Sequence, residues 1–248
     1  MKLRRVPALA ALATAGLLSL AACGRSQTVH GQHVFSFSGT HLVIDDATSD
    51  LHLVPGTGPS VRVQRWLNGT AAQPGHAAWT LTGNTLRLSI DCTGLVFHCG
   101  SRFQVTLPPQ VSVIVHSGSG NDTVTSLAAP VVIDGGSGQV RLRGTFGPVQ
   151  VSTGSGNITA SATRSGTVHA TSDEGNVDIG FAAAPQRADV SSSAGNATVR
   201  VPLTGHRYHI VVTSNAGTAR SAVPDDRQSH SIVHVSSVNG DATVRPLS

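Results

Sequence analysis

Short stretches of alternating apolar and polar residues, separated by corners of small residues, run through the second half of the chain. Apolar residues occupy every second position at Val111, Val113 and Val115 before one corner, and at Val140 and Leu142 after the next. A period of two places such side chains on one face of a strand. After residue 23 the sequence shows no sustained apolar period of 3.6 residues. The pattern therefore predicts strands joined by turns rather than helices.

The corner itself is repeated at intervals of about twenty residues. If its last glycine is taken as the marker, successive markers are 18, 18, 19, 20, 22 and 23 residues apart. The marker glycines are Gly120, Gly138, Gly156, Gly175, Gly195, Gly217 and Gly240. An eighth, degenerate copy lies upstream, because residues 42–53 align without a gap to residues 131–142. Such a period is typical of stacked repeats, in which one unit cannot bury its apolar face alone.

These observations predict an all-β fold, a β-solenoid or β-helix of roughly seven to eight two-strand rungs with "GSGN"-type corners. Glycine suits a tight turn because it adopts a positive φ. The corner asparagines Asn121, Asn157, Asn176 and Asn196 offer amides that can form a ladder between rungs. The regular repeats are predicted at residues 108–248. Residues 35–107 are predicted to form an N-terminal β region with the degenerate rung and a disulfide hairpin.

The first residues have the pattern of an export signal. Lys2, Arg4 and Arg5 precede an apolar run at residues 6–20, which is shorter than the roughly 20 residues that a spanning helix needs. The run ends in "LAAC", which resembles the bacterial lipobox. That resemblance implies that residues 1–22 are a lipoprotein signal peptide and that Cys23 is lipidated and becomes the mature N-terminus. The alternative is an ordinary signal peptide with a chance cysteine.

The resulting expectation is an extracytoplasmic protein, lipid-anchored to the outer face of the cytoplasmic membrane. Two acyl chains hold a protein at a membrane firmly where a single chain does not. Residues 23–34 are polar and are predicted to be the lipidated cysteine and a flexible tether.

Charge gives no support for a nucleic-acid partner. The formal charge of +4 comes from 17 basic and 13 acidic residues, and removal of the three basic residues in the signal leaves 14 − 13 = +1. The remaining sequence has no basic run and no stripe of basic and aromatic residues of the kind that follows a phosphate backbone.

The two remaining cysteines, Cys92 and Cys99, are separated by six residues. Outside the cytoplasm a close pair favours a disulfide over a metal site, and a catalytic dithiol would have two intervening residues. A structural disulfide is therefore predicted.

Several of these features together resemble the bacterial putative-adhesin family of unknown function, in the form of a lipobox-bearing, actinobacterial-type lipoprotein. They are the lipobox, the cysteine hairpin, the serial "GSGN" corners and the segment "FAAAPQRADVSSSAGNATVRVP". The resemblance covers roughly residues 36–248. It implies a right-handed β-helix-like domain at the cell surface, adhesion as a proposed role, and no catalytic residues. The later corners "SAGN", "NAGT" and "VNGD" depart from the family pattern.

No metal or other cofactor is predicted. "SGSGNDTVT" at residues 117–125 is close to a calcium-binding nonapeptide, but the corners recur every 18 residues or more instead of every nine. Asp122 falls where other units place an inward apolar residue, which predicts a local β-bulge. On a strand, His206 and His209 would point to opposite faces, and His230 and His234 would lie about 13 Å apart, so neither pair could bind one metal ion.

The function predicted from these features is that of a noncatalytic surface lipoprotein, an adhesin or an envelope-binding or scaffolding module. Its partners would be the membrane, through the lipid, and an envelope glycan or surface protein. The alternatives are a carbohydrate-active β-helix enzyme and an envelope-stress accessory protein. The candidate residues for the enzyme are Asp173, Glu174 and Asp178 in one unit and Asp225, Asp226 and Arg227 in a turn, although exposed loop charge explains them better. Trp66 and Trp79 are expected in the core rather than on a sugar-binding surface.

Overall fold

The structure is a computed structural model that describes residues 28–93 and 98–247. The predicted signal peptide, residues 1–22, and Cys23 lie outside the described residues. The described chain is all-β, as predicted, and its only helix is the single 3₁₀ turn Thr70–Ala72.

Within the described residues, no helix is long and apolar enough to cross a membrane.

The strands of the described ranges are numbered in chain order. They are β1 Val29–Phe35, β2 His41–Asp46, β3 Asp50–Pro55, β4 Val61–Gly69, β5 Ala77–Thr82, β6 Thr85–Ile90, β7 Cys99–Leu107, β8 Ser112–Ser117, β9 Asp122–Thr125, β10 Val131–Gly135, β11 Val140–Arg143, β12 Val149–Thr153, β13 Ile158–Thr163, β14 Thr167–Glu174, β15 Val177–Phe181, β16 Arg187–Ala194, β17 Ala197–Val201, β18 His209–Ser214, β19 Ala219–Ser221, β20 Ile232–Asn239 and β21 Ala242–Pro246.

The strands form two sheets that face each other. Sheet A has the order β1-β4-β7-β3-β9-β11-β13-β15-β17-β21-β19, and sheet B has the order β18-β20-β16-β14-β12-β10-β8-β2-β6-β5. Neighbouring strands are parallel except for the pairs β1–β4, β4–β7 and β5–β6. Alternate side chains of both sheets point inward and form one continuous apolar core, which includes Leu42, Val113, Ile158 and Val199.

A strand of sheet B, the corner after it and the next strand of sheet A together form one unit. From β8/β9 to β16/β17 these units stack in chain order, because each strand pairs with the strand two places before it. The predicted arrangement of strand, corner and strand is confirmed in this part of the chain.

At both ends the stacking order departs from the chain order. The degenerate unit β2/β3 lies between β8/β9 and β6/β7, and β4, β5 and β1 extend the sheets further. At the other end β20/β21 lies between β16/β17 and β18/β19, so the last unit along the chain is the penultimate one in space. The unit marked by Gly217 is therefore the terminal unit of the stack.

The N-terminal strands belong to the same two sheets and to the same core. Phe103 and Val105 of β7 are fully buried in the cluster that also contains the later valines. β1 begins at Val29, within the segment for which a flexible tether was predicted, and pairs along its whole length with β4. Residues 29–34 are thus a paired strand rather than a tether.

The corner glycines allow backbones of successive units to approach closely. A Cβ added to Gly138 would lie 1.6 Å from the carbonyl oxygen of Gly120, and one added to Gly156 would lie 2.0 Å from that of Gly138. Neither glycine has a positive φ. The need for glycine at these two positions therefore arises from stacking between units, not from the positive φ that the sequence suggested.

Asparagine side chains connect one corner to the next, as the sequence predicted. The Oδ1 atoms of Asn157, Asn176 and Asn196 accept 2.8 Å hydrogen bonds from the backbone N–H groups of Asn176, Asn196 and Asp241. Asp241 Oδ1 in turn accepts one from the N–H of Thr218 at 2.8 Å. The ladder follows the order of the units in space, with the Gly217 unit last.

A second ladder, made by inward hydroxyl groups, was not predicted. Ser172, Ser192, Ser237 and Ser214 donate to the carbonyl oxygens of Gly156, Gly175, Gly195 and Gly240 at 2.9, 2.7, 2.8 and 2.8 Å. Each hydroxyl is the last inward residue of its sheet B strand and reaches a corner of the neighbouring unit. The bonds satisfy carbonyl groups at partly buried corners, where leaving a group unpaired costs up to about 1–3 kcal/mol.

Candidate binding face on sheet A

The outer face of sheet A is rich in arginine. Because side chains alternate along each strand, the residues between the buried ones point away from the core. The outward arginines are Arg62, Arg102, Arg141, Arg143, Arg200, Arg220 and Arg245. The acidic residues on this side are Asp50 and Asp178. This outer surface is called the arginine face below.

Most of these arginines have no acidic partner. Arg200 donates to both carboxylate oxygens of Asp178, and that bond raises the pKa of the Arg200 guanidinium. In the described part of the chain the other six make no ion pair. The face therefore presents cationic groups that the protein itself does not neutralise.

A continuous row of side chains crosses the arginine face, in which Arg141 lies between two threonines and Arg220 lies beside a third. Strand register places Gln104, His52, Thr123, Arg141, Thr159, Asp178, Thr198, Thr243 and Arg220 side by side across the sheet. Such a row offers many hydrogen-bond donors on a flat surface.

Among the shallow concavities on the arginine face, two lie between arginines of different strands. One of about 260 Å³ has Arg102 and Arg141 among its lining residues, with His52 between them. Burial, and secondarily the charge of Arg102, lower the pKa of His52. The other, of about 550 Å³, lies at the terminal unit and has Arg220, Arg245 and Thr243 in its lining.

The outer face of sheet B has a different character. Its arginines, Arg87 and Arg187, pair with Asp45 and Asp189, with closest N–O distances of 3.4 and 2.6 Å. Five histidines also lie on this face, namely His41, His116, His169, His209 and His234. Its acidic residues are Asp45, Asp134, Asp173 and Asp189. The unpaired cations are thus a property of sheet A.

The candidate catalytic acids do not form a common site with one another. Asp178 is held by Arg200, whereas Asp225 accepts hydrogen bonds from the Ile210 N–H at 2.9 Å and from His209 at 3.1 Å. These bonds, led by that of Ile210, lower the pKa of Asp225. Asp226 pairs with Arg207 at 3.4 Å, and Arg227 lies 3.5 Å from Asp225. Asp173 and Glu174 are exposed at the end of β14.

Two buried carboxyl groups do lie close together, at the stacked corners of β2/β3 and β8/β9. Asp46 and Asp122 are each only 2% exposed. Asp122 pairs in register with Leu51 and Val140, so the predicted bulge is absent and the side chain points inward. Ser117 Oγ donates to Asp122 Oδ2 at 2.5 Å. These acids lie beneath the corner, away from the arginine face.

Among residues 28–93 and 98–247, no group of three or more histidine, cysteine, aspartate or glutamate side chains is arranged to hold a metal ion. The predicted disulfide between Cys92 and Cys99 is present. Of the two tryptophans, Trp79 packs against the core beneath Arg65, as expected. The prediction that Trp66 lies in the core is wrong, because its side chain is half-buried on the outer side of β4.

The fold defines the class of protein. It is an all-β domain of two facing, mainly parallel sheets built from repeated glycine-cornered units. The chain belongs to the Toastrack DUF4097 family, which matches residues 110–245. The match includes the regularly stacked units and the two C-terminal units whose order in space differs from their order along the chain.

Three solved structures are similar to this chain at low sequence identity, and the first of them, with a TM-score of 0.52, shares the fold. A putative adhesin from Bacteroides fragilis is 15% identical, with 88% of this chain and 97% of that chain covered and a TM-score of 0.52. A putative adhesin from Parabacteroides distasonis is 12% identical, with 90% and 98% covered and a TM-score of 0.47. A putative lipid binding protein from the same species is 12% identical, with 88% and 97% covered and a TM-score of 0.47. Comparison with curated proteins finds no match. The family match agrees with the predicted resemblance to a putative-adhesin family of unknown function.

The arginine face was not found from the sequence. Its arginines come from six different strands and are separated by up to 183 residues, from Arg62 to Arg245. Only the pairing of units places them on one surface. The signal that could have revealed it is that Arg143, Arg200 and Arg245 each lie five residues after a marker glycine.

Proposed function

We propose that the protein is a noncatalytic, lipid-anchored cell-surface module that binds a component of the cell envelope through the arginine face. The observation that carries the proposal is the set of six exposed arginines that have no ion-pair partner among residues 28–93 and 98–247. Stacked-repeat proteins commonly bind through such extended surfaces.

The lipobox at Cys23 supports the anchored location. Val29, where β1 begins, is six positions after Cys23, and at up to 3.6 Å per residue this connection spans at most about 22 Å. The anchor would hold the edge of sheet A close to the outer face of the cytoplasmic membrane. The solved structures named as putative adhesins suggest a binding role. For this chain we propose that the bound partner is a component of the cell's own envelope.

We also infer a right-handed winding with seven to eight rungs. Each unit returns to the same sheet as a parallel strand, and connections of this kind are almost always right-handed.

A noncatalytic role is supported by the partners of the candidate acids. Glycoside hydrolysis requires two carboxyl groups facing each other across the substrate. Asp178 and Asp225 instead contact Arg200, His209 and Arg227. Asp46 and Asp122 are close together but buried beneath the corner.

The test uses the mature chain, residues 23–248, incubated with cell-envelope fractions. Retention and the release of fragments are both scored, the latter by mass spectrometry. We expect retention without fragments, and loss of retention in the double variant Arg141→Gln/Arg143→Gln. The control, Arg87→Gln/Arg187→Gln, removes the same charge from sheet B and is expected to be retained. Released fragments would indicate an enzyme, and equal retention of both variants would exclude the arginine face.

A further inference from the structure

We infer that the ligand of the arginine face is a linear anionic envelope polymer, bearing carboxylate or phosphodiester groups, that lies across the strands of sheet A along the stacking direction. This inference rests on the proposed function and specifies the partner.

The sign of the charge is the first reason. The arginine face carries seven arginines against Asp50 and Asp178, whereas the outer face of sheet B carries two arginines against four aspartates. The mature chain as a whole has a formal charge near +1, obtained as 14 − 13. Positive charge is therefore concentrated on one side of a nearly neutral protein, which attracts anionic partners to that side.

The spacing of the arginines favours an extended ligand over a compact one. Arg102 lies on β7 and Arg220 on β19, eight strand-to-strand steps away in sheet A. At about 4.8 Å per step these positions are about 38 Å apart. Arg141 and Arg143 lie on β11, three steps from β7. A single small anion can contact one of these positions, whereas a polymer can contact all of them in succession.

Some of the arginines also occupy adjacent positions on the sheet, where their positive charges repel each other. Arg200 and Arg245 are direct cross-strand partners, and Arg141 and Arg143 share one face of a four-residue strand. Like charges in such positions destabilise a sheet. Asp178 already offsets the charge of Arg200, whereas Arg245, Arg141 and Arg143 have no ion-pair partner among the described residues, so an anionic ligand would relieve the repulsion at these three. The guanidinium group binds carboxylate and phosphate in a bidentate manner.

The side chains between the arginines suit a polar polymer. Thr123, Thr159, Thr198 and Thr243 continue the row with hydroxyl groups. On the described strands from β3 to β19 no Trp, Tyr or Phe side chain lies on the outer face. The outward aromatic residue of the face is Trp66 of β4, the register partner of Arg102, so over the strands from β3 to β19 affinity would depend on charge and hydrogen bonds.

The experiment measures binding of the mature chain to defined probes by isothermal titration calorimetry at several salt concentrations. The probes are polygalacturonate, poly(glycerol phosphate), digalacturonate, neutral dextran of matched length, and vesicles containing phosphatidylglycerol. We expect one or both linear polyanions to bind, with affinity that falls as salt rises, and much weaker binding of digalacturonate and dextran. Arg141→Gln/Arg143→Gln should weaken polyanion binding about tenfold, because two charge contacts are lost, while Arg87→Gln/Arg187→Gln should not.

The outcomes separate this inference from the proposed function. Retention of the chain by envelope fractions without binding to either polyanion would overturn the inference and leave the proposed function standing. Equal affinity for dextran, for digalacturonate, or for the two double variants would also overturn it. Binding to the anionic vesicles but not to the soluble polymers would assign the face to the membrane instead. Failure to bind both envelope fractions and polyanions would overturn the two proposals together.

Discussion

Ser117 Oγ donates a 2.5 Å hydrogen bond to Asp122 Oδ2 inside the first regular corner. The bond connects the last inward residue of β8 in sheet B to a column of sheet A that is otherwise apolar, where the register partners of Asp122 are Leu51 and Val140. Burial raises the pKa of Asp122 to about 7, the charges of Asp46 and Asp50 add to the increase, and the bond from Ser117 opposes it. The carboxyl group is therefore tolerated in this position mainly in its protonated form.

This shift predicts a loss of stability with rising pH. A carboxyl group whose pKa rises from 3.8 in the unfolded chain to about 7 in the folded protein gives its full contribution below pH 3.8. The contribution is lost as the pH rises through 7, and it amounts to about 4 kcal/mol, since each pKa unit corresponds to about 1.4 kcal/mol. We expect Asp122→Asn to remove this part of the pH dependence and to be more stable than the wild type at pH 8.

The measurement is urea unfolding of wild type and variant at pH 5 and pH 8. Asp134→Asn is the matched control, because Asp134 is an exposed aspartate on the neighbouring unit. If Asp122→Asn and Asp134→Asn change the pH dependence equally, the buried carboxyl group is not responsible.

The corner glycines give a second prediction, which concerns stacking. Gly138→Ala would place a methyl group 1.6 Å from the carbonyl oxygen of Gly120, so the two units must separate. Overpacking of this kind costs about 1–3 kcal/mol, and more where backbone atoms are involved. Gly58→Ala is the control, because a Cβ at Gly58 meets nothing within 4 Å. Thermal unfolding should show a clearly lower Tm for the first variant only, and equal Tm values would argue against the close approach.

The hydroxyl ladder can be tested at one step. Ser192→Ala leaves the carbonyl oxygen of Gly175 without the donor that lies 2.7 Å away, which should reduce the free energy of unfolding by about 1–3 kcal/mol. Ser191→Ala changes the adjacent outward residue and should have little effect. Denaturant unfolding of the two variants gives the comparison, and a similar loss in both would show that the hydroxyl bond contributes nothing specific.

The sequence was sufficient for the fold class because the repeated units carry their information locally. Alternation around each corner sets which residues are buried, and the asparagine after the glycine sets the ladder. The chemistry at Asp122 was only half predicted. The repeat marks position 122 as inward, but a bulge was predicted there; that prediction was wrong, because a hydrogen bond from Ser117 and a raised pKa make the buried position possible for Asp122.

Two features could not be derived from local sequence patterns. They are the spatial order of the units at each end of the stack and the existence of the arginine face. Both depend on which unit pairs with which, and units of similar sequence can pair with several neighbours. The pairing of β17 with β21 instead of β19 is one example. The juxtaposition of Arg200 and Arg245 follows directly from that choice.

The exchanged order at the C-terminal end leads to a last prediction. β18 and β19 pair with β20 and β21, and in sheet A and sheet B they have no other neighbour. A chain that ends at residue 226 would therefore retain β18 and β19 but lose the strands that join them to β16 and β17. We expect limited proteolysis to remove residues after about 201 from this variant, whereas a chain that ends at residue 201 should resist cleavage. If the units stacked in chain order instead, β18 and β19 would pair with β16 and β17, and the chain ending at 226 would be protected throughout.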